Sequence, residues 1–198
     1  MIRFLRQKKI IFSLCLIFGG CTATSYQYNF SLIEPLNDSM SFEDGEVGFK
    51  FSPSQEKIQL LIMNKTDKEI HLVRDEAEYL DHTGKSHRIH YGSDYVQEVR
   101  NFTQNGRLSV SSMRIDPNSE VSGYVWINNW PDFCVGEDRH SLASQRIDYL
   151  MEPLFPRNRY QGSGEELKDT TFTLILPIDF DGYITHYPFS FRIDDVTS

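Results

Sequence analysis

The sequence predicts an all-β domain built as a β-sandwich of about eight strands. Short runs of residues alternate between apolar and polar, which is typical of strands with one buried face. Asn, Asp, Gly and Pro residues separate these runs and favour turns. Aromatic residues make up 13% of the chain, and many occupy alternating positions, so they are sufficient to fill the core of a sandwich.

The first strands are predicted between residues 28 and 73. Residues 28–34 (YNFSLIE) form one run, and residues 46–51 (EVGFKF) form another that places Val47, Phe49 and Phe51 on one face. In residues 57–73 (KIQLLIMNKTDKEIHLV), Asn64–Asp67 interrupts the alternation and predicts a turn between two strands. The apolar positions on either side of this turn are Ile58, Leu60, Ile62, Ile70 and Leu72.

The middle of the chain continues the same pattern. A turn at residues 81–84 is expected to separate a strand at Tyr79–Leu80 from one that runs through Ile89 and Tyr91. A second turn, at residues 116–119 (DPNS), precedes a strand predicted to direct three side chains into the core: Val121, Tyr124 and Trp126.

The clearest hairpin lies at the end of the sequence. Residues 171–179 (TFTLILPID) and 183–193 (YITHYPFSFRI) flank Asp181-Gly182, a dipeptide that readily adopts the positive φ angles of a tight hairpin turn. Its second strand is predicted to bury the alternating residues Phe189, Phe191 and Ile193.

Residues 131–168 break this pattern and form the predicted long loop or short helix insertion. Residues 141–150 could form a short helix, followed by a polar loop that contains Tyr160. A loop of this length within a domain is usually functional or disordered. We therefore expect a surface here for a partner or ligand, with the following candidate side chains: Trp126, Trp130, Phe133 and Tyr160. Packing inside the domain is the competing role for the tryptophans and Phe133.

The N-terminus is typical of an export signal. Arg3, Arg6, Lys8 and Lys9 precede the apolar stretch 10–18, which is too short for a transmembrane helix because such a helix needs about 20 apolar residues. A basic segment, a short apolar segment and small residues before a cleavage site are the three parts of a secretory signal.

Residues 17–21 (IFGGC) resemble the lipobox of bacterial lipoprotein precursors, although Phe18 stands where Leu is usual. The resemblance implies that Cys21 is acylated, palmitate being among its chains, and becomes the first residue after cleavage. More than one acyl chain is needed for stable anchoring. The domain organisation is then a cleaved signal peptide at 1–20, the acylated cysteine and a polar tether at 21–28, and a single β-sandwich at 29–198.

Thr22 follows the lipobox cysteine, where Asp would imply retention at the inner membrane. The resemblance therefore implies a lipid anchor in the outer membrane that faces the periplasm. In a cell with one membrane, it implies the outer face of that membrane. The expected partners are the bilayer, through acylated Cys21, and another protein of the cell envelope.

Composition argues against a nucleic-acid partner. The net charge is −8 for the whole chain, and removal of residues 1–20 deletes four basic residues and brings it to about −12. Cys15 leaves with the signal and Cys21 is acylated, so Cys134 has no partner within the chain. We expect Cys134 to be a small buried apolar side chain rather than a reactive thiol.

A second resemblance concerns the fold. Residues 57–92 contain a strand that ends in Asn-Lys-Thr, a strand with His between apolar residues, and the stretch AEYLDHTGKSHRI. Together with IDPNSEVSGYVW at 115–126, they resemble the Ig-like or fibronectin-like accessory domains of small bacterial lipoproteins. This resemblance implies an Ig-like β-sandwich and a lipid anchor. It implies no activity.

No motif predicts a catalytic, metal or cofactor site. His82, His87 and His90 place three imidazoles within nine residues, but residues three apart in a strand point to opposite faces. Gly162-Ser163-Gly164 lacks the Gly-x-Ser-x-Gly spacing of a nucleophile elbow. The sequence thus favours a non-enzymatic, lipid-anchored adaptor for another envelope protein. An envelope glycan-binding module that uses exposed aromatic residues is the alternative, and a cell-wall hydrolase is a third hypothesis.

Overall fold

The computed structural model of the protein describes residues 25–93, 111–127 and 153–198. Within these three ranges, twelve strands form one antiparallel sheet, and two short 3₁₀ turns lie at Arg74–Glu76 and Gly164–Leu167. The predicted all-β class is confirmed. The strands are β1 (Gln27–Glu34), β2 (Leu36–Asn37), β3 (Ser41–Glu43), β4 (Val47–Pro53), β5 (Ile58–Asn64), β6 (Ile70–Leu72), β7 (Glu78–Leu80), β8 (Ser86–Gly92), β9 (Met113–Ile115), β10 (Glu120–Ile127), β11 (Thr171–Phe180) and β12 (Tyr183–Thr197).

The sheet is one nearly closed path rather than two separate layers. Ten strands are hydrogen-bonded in the order β2-β1-β12-β11-β7-β8-β10-β5-β4-β3, while β6 branches from β11 and pairs in turn with β9. Strand β8 joins two halves of the sheet, one from β2 to β7 in this order and the other from β10 to β3. Its residues 86–88 pair with β7, whereas its residues 89–92 pair with β10. The prediction of about eight strands is corrected here. Alternation along the chain does not show that one strand serves both halves, nor does it detect strands of two or three residues.

The core lies where β4 of one half faces β12 of the other. The ring of Phe189 lies 4.9 Å from that of Phe49 and 4.6 Å from that of Phe51, and Phe191 lies 5.2 Å from Phe51. The alternation predicted for β4, β5 and β12 is confirmed, because every residue that it placed on the inner face is buried: Val47, Phe49, Phe51, Ile58, Leu60, Ile62, Phe189, Phe191 and Ile193.

Strand β10 does not follow its predicted alternation. Val125 and Ile127 belong to the core cluster and Val121 packs against it, whereas Tyr124 and Trp126 point to the opposite face. The prediction that Val121, Tyr124 and Trp126 all face the core was therefore wrong, because only Val121 does. Apolar residues occur on both faces of this strand, so its sequence alone does not fix which face is inward.

The last hairpin has the predicted turn. Asp181 and Gly182 have φ angles of 58° and 92°, and Phe180 pairs with Tyr183 across the turn. Both residues of the two-residue loop thus have positive φ, as a tight hairpin requires.

The strands run between two ends of the molecule. The proximal pole, where the described chain begins, comprises residues 25–28, 53–58 and 153–170. The distal pole comprises the turns 44–46, 64–69, 116–119 and 179–184. Strand β12 connects them, because Tyr183 begins it at the distal pole and Thr197 pairs with Gln27 at the proximal pole.

The folded domain begins earlier than predicted. Strand β1 starts at Gln27, and Tyr26 is only 2% exposed. The ring of Tyr26 packs so closely on Gly164 that a Cβ there would lie 2.7 Å from its Cδ2 atom. Residues 26–28, which the sequence placed in a polar tether at 21–28, are therefore part of the packed domain.

Candidate functional site

The structure describes two of the four side chains predicted to form a partner or ligand surface, Trp126 and Tyr160. Trp126 is 2% exposed and lies beside Tyr124, with ring centres 6.0 Å apart, so its indole is packed rather than available for stacking. Tyr160 is 82% exposed, as a surface residue would be. Trp130 and Phe133 lie outside the described residues, as do Cys21, Cys134 and the helix predicted at 141–150.

Tyr160 lies on a loop that is attached to the start of the chain. The backbone N–H of Tyr26 donates to the carbonyl of Arg157 at 2.9 Å, and the Tyr28 hydroxyl donates to the carbonyl of Pro156 at 2.7 Å. Burial raises the pKa of Tyr28 to about 12, which keeps this hydroxyl protonated as a donor. Phe155 fills the space beneath the loop, with its ring 5.3 Å from that of Tyr28.

Two ion pairs and a turn hold the same loop in place. The guanidinium of Arg157 donates to both carboxylate oxygens of Glu56, with Nη2 2.6 Å from Oε2. Arg159 pairs with Glu165 at 2.9 Å. Asn158 accepts the backbone N–H of Tyr160 at 3.0 Å, so the loop has a defined conformation that directs the tyrosine outward.

A second exposed apolar surface lies at the distal pole. Tyr183 is 72% exposed and Ile184 is 37% exposed, and both follow directly after the Asp181-Gly182 turn. A large aromatic side chain exposed beside a rigid hairpin is a common anchor in protein interfaces. The alternation in YITHYPFSF identified a strand, but it gave no signal that its first two residues extend beyond the core. Their position next to the turn was the only feature of the sequence that indicated their exposure.

The distal pole is strongly acidic. Its four turns contain seven carboxylates and two lysines, a net charge of −5. The lysines are already engaged, since Lys68 lies 3.4 Å from Asp181 and Lys65 lies 3.4 Å from Glu43 at the adjoining end of β3. The charged groups form the walls of a groove of about 470 Å³, which is lined by Asp67, Lys68, Glu69, His71, Arg114, Pro117, Asp179, Asp181 and Gly182.

Asn64 holds the distal turns together. Its side-chain amide is buried and donates to three carbonyls, those of Lys68 at 2.7 Å, Asp116 at 3.0 Å and Ile115 at 3.1 Å. Its oxygen accepts the backbone N–H of Thr66 at 3.0 Å. One side chain thereby fixes the 64–69 turn against the 116–119 turn.

Asp44 is fixed at the same pole in its ionised form. Burial opposes ionisation, but hydrogen bonds from the backbone N–H groups of Val47 and Glu46 and from the Tyr187 hydroxyl outweigh it and lower the pKa of Asp44. The negative charge that Asp44 contributes to this pole is therefore stabilised by its hydrogen bonds.

The histidine cluster considered for metal binding is dispersed. His87 Nε2 lies 2.8 Å from Asp81 Oδ2, while His82 is exposed in the intervening turn. His90 lies further along β8, opposite Trp126. Among the described residues, no group of three or more His, Cys, Asp and Glu side chains could hold a metal ion. Asp81 and His87 instead close the 81–85 turn.

Gly162-Ser163-Gly164 lies in the segment that leads into the second 3₁₀ turn. Gly164 is buried against Tyr26 and Tyr28, where a Cβ would lie 2.5 Å from the Tyr28 hydroxyl. The close approach of these tyrosines explains a glycine at position 164 without any catalytic role.

No model of a known protein family, no curated protein and no solved structure matches this chain. Within the part of the chain that the structure describes, no helix has the length and apolar character needed to cross a bilayer.

Proposed function

We propose that this chain is a lipid-anchored, non-enzymatic adaptor of the cell envelope that binds another envelope protein at its distal pole. The anchor is acylated Cys21, and the proposed location is the outer membrane, on its periplasmic side. The Ig-like β-sandwich of the small bacterial lipoproteins is the fold relationship that we propose. It is supported by the packing of β4 against β12.

The observation that carries this proposal is the difference between the two poles. The described chain begins at the proximal pole, four residues after Cys21, and is hydrogen-bonded there through Tyr26. At the other end of β12, Tyr183 and Ile184 are exposed beside turns of net charge −5. An anchored domain that exposes Tyr183 and Ile184 at its far end is suited to present these two side chains to a partner.

The chemistry of the distal pole specifies the partner. An exposed tyrosine and an isoleucine supply apolar contact area, and the surrounding carboxylates favour a basic surface. Long-range attraction between such surfaces speeds association at low salt. The partner that we propose is therefore a protein with a basic patch around an apolar pocket.

The glycan-binding alternative depends on exposed aromatic rings. Trp126 is packed against Tyr124, and Tyr160 and Tyr183 lie at opposite poles, so the described residues bring no two exposed rings together. This arrangement favours the protein-binding proposal, because sugar recognition by stacking works best with rings that share one groove.

The test is site-specific photo-crosslinking in the cells that make the protein. A photoreactive residue replaces Tyr183 in one variant and Tyr160 in a matched control at the other pole. We expect one protein to crosslink stoichiometrically at position 183 and to be lost when Cys21→Ser releases the chain from the membrane. Crosslinking of that protein at position 160 alone would contradict the proposed surface.

Charge reversal tests the chemistry of the partner once it is identified. Glu46→Lys with Asp67→Lys changes the distal pole from −5 to −1, and Asp38→Lys with Glu166→Lys makes the same change elsewhere. We expect the distal pair to weaken binding by about tenfold or more and to reduce its salt dependence. An equal effect of both pairs would argue against a basic partner surface.

A further inference from the structure

We infer that the proximal pole rests on the membrane surface, with the ring of Tyr160 in the headgroup region of the bilayer. The inference rests on the proposed anchoring through Cys21. It adds an orientation and a second binding surface, and it assigns the exposed loop at 153–163 to lipid rather than to protein.

The length of the tether sets the orientation. Four peptide units separate Cys21 from Ser25, and a chain spans at most about 3.6 Å per residue, so Ser25 lies within about 14 Å of the acylated cysteine. The next residue, Tyr26, is hydrogen-bonded to Arg157. The loop that carries Tyr160 is thus held close to the bilayer surface.

The distal pole cannot occupy this position. Tyr183 and Thr197 are fourteen residues apart on the continuous strand β12, which corresponds to about 46 Å at the roughly 3.3 Å rise per residue of an extended strand. That distance exceeds the reach of the tether about threefold. The domain therefore stands on its proximal pole or lies on its side, and the surface chemistry distinguishes between these two arrangements.

The proximal loop has the side chains of a membrane-interface site. Tyr160 is 82% exposed, and tyrosine is enriched at the level of lipid headgroups because its ring is apolar and its hydroxyl is polar. Residues 153–163 include Arg157 and Arg159 and no acidic residue. Arg159 is paired with Glu165 at 2.9 Å, but its side chain remains 67% exposed beside the tyrosine, so it can also approach lipid phosphates.

Charge favours the same arrangement. Anionic lipids repel the distal pole, with its net charge of −5, more strongly than the loop that carries Tyr160. Orientation on the proximal pole places those carboxylates far beyond one Debye length from the surface, which is about 8 Å at physiological ionic strength. Lying on one side would bring part of them close to it.

The test measures the depth of each pole in a bilayer. The acylated protein, extracted from membranes, is reconstituted into vesicles of phosphatidylethanolamine and phosphatidylglycerol at three to one. Tyr160→Cys and, as the matched control, Tyr183→Cys are each made with Cys134→Ser and labelled with an environment-sensitive fluorophore. Quenching by a lipid with a spin label at the headgroup then reports the proximity of each site to the bilayer.

We expect quenching at position 160 to exceed that at position 183 at least threefold, with a blue-shifted emission at position 160 only. Equal quenching at the two sites would indicate a domain that lies on its side and would overturn the inference. Absence of quenching at position 160 would assign the loop to a protein partner and would overturn it as well.

Vesicle flotation separates this inference from the proposed function. If the labelled protein floats with vesicles and its Cys21→Ser variant does not, the anchor is established and the quenching result decides orientation alone. If the unmutated protein does not float, the anchoring proposal fails together with the inference. Failure of the anchoring proposal and failure of the orientation inference therefore give different experimental results.

Discussion

Asn64 shows how a single residue can be predicted in position but not in role. The sequence identified a turn at Asn64–Asp67, because polar residues interrupt two apolar runs there. It gave no indication that the side chain is 2% exposed and bonded to the 116–119 turn, about fifty residues later. That contact depends on how two distant strands pair, which local sequence does not encode.

Replacement of Asn64 should therefore destabilise the whole domain. In Asn64→Ala, the carbonyls of Lys68, Ile115 and Asp116 lose the hydrogen bonds from the buried Asn64 amide, and we expect a loss of about 2–4 kcal/mol in the free energy of unfolding. Urea denaturation followed by circular dichroism measures it. Asn37→Ala is the control, because Asn37 accepts bonds only within an exposed turn at Ser39. A loss below about 1 kcal/mol for Asn64→Ala would show that water replaces the amide.

Asp81 predicts a pH dependence of stability. Burial raises its pKa, but hydrogen bonds from Thr83, His87 and Lys85 outweigh this effect and hold the pKa well below its usual range. Because the pKa is lower in the folded state, ionised Asp81 stabilises the fold above the unfolded value of about 3.9. This stabilisation is lost as the pH falls below that value toward the folded pKa.

The expected outcome is a wild-type free energy of unfolding that falls as the pH is lowered from about 5 to about 2, with most of the loss below pH 4, and that falls less in Asp81→Asn. At pH 7 the variant should be less stable by about 1–3 kcal/mol. Urea denaturation at each pH provides both numbers. Asp67→Asn removes an exposed carboxylate and measures the effect of net charge alone. Parallel pH curves for wild type and Asp81→Asn would refute the role given to this turn.

At the scale of strands, prediction succeeded where only one face is apolar. Strands β4, β5 and β12 alternate cleanly, so their inner faces could be assigned from sequence. Strand β10 has apolar residues on both faces, and Trp126 was assigned to the wrong one. Strand β8 changes partners halfway along, and only the three-dimensional pairing shows it. The two proposed binding surfaces show the same contrast: the exposure of Tyr160 was expected from its loop, whereas the exposure of Tyr183 was hidden in a strand pattern.

The junction of β8 and β10 leads to a prediction about Gly123. A Cβ at this position would lie 2.8 Å from Cζ of Tyr91 and 2.9 Å from the backbone oxygen of Gly92. Tyr91 cannot easily move, since it is buried and its hydroxyl donates to the carbonyl of Leu60 at 3.1 Å. We expect Gly123→Ala to lower the free energy of unfolding by about 1–3 kcal/mol.

Gly45→Ala is the matched control, because no atom lies within 4 Å of the position that its Cβ would take. It should change stability by less than about 1 kcal/mol, in either direction. Both variants are compared by urea denaturation. Equal free energies of unfolding for the two variants would mean that β8 and β10 can move apart to accommodate the added methyl group. The packing at this junction would then be looser than the distances around Gly123 indicate.

At the scale of the whole molecule, residues 26–34 belong to the packed sheet and thereby limit the length of the proposed tether. Strand β1 lies between β2 and β12, and Tyr26 packs beside it on Gly164. Under the proposed anchoring through Cys21, four residues, Cys21 to Thr24, separate the anchor from Ser25 and keep it close to the proximal pole. The residue at which the packed domain begins therefore sets the length of the proposed tether, and the proposed orientation depends on that length.

Two truncated chains locate this boundary. A chain that starts at Ser25 keeps Tyr26 and the pairing of Gln27 with Thr197, and it should retain the full free energy of unfolding. A chain that starts at Asn29 loses both, together with the bond from Tyr28 to Pro156, and should be less stable by at least about 3 kcal/mol. Urea denaturation of both chains gives the comparison. Equal stabilities would place residues 25–28 in the tether, double the reach of the anchor to about 28 Å, and weaken the argument that the proximal pole must face the bilayer.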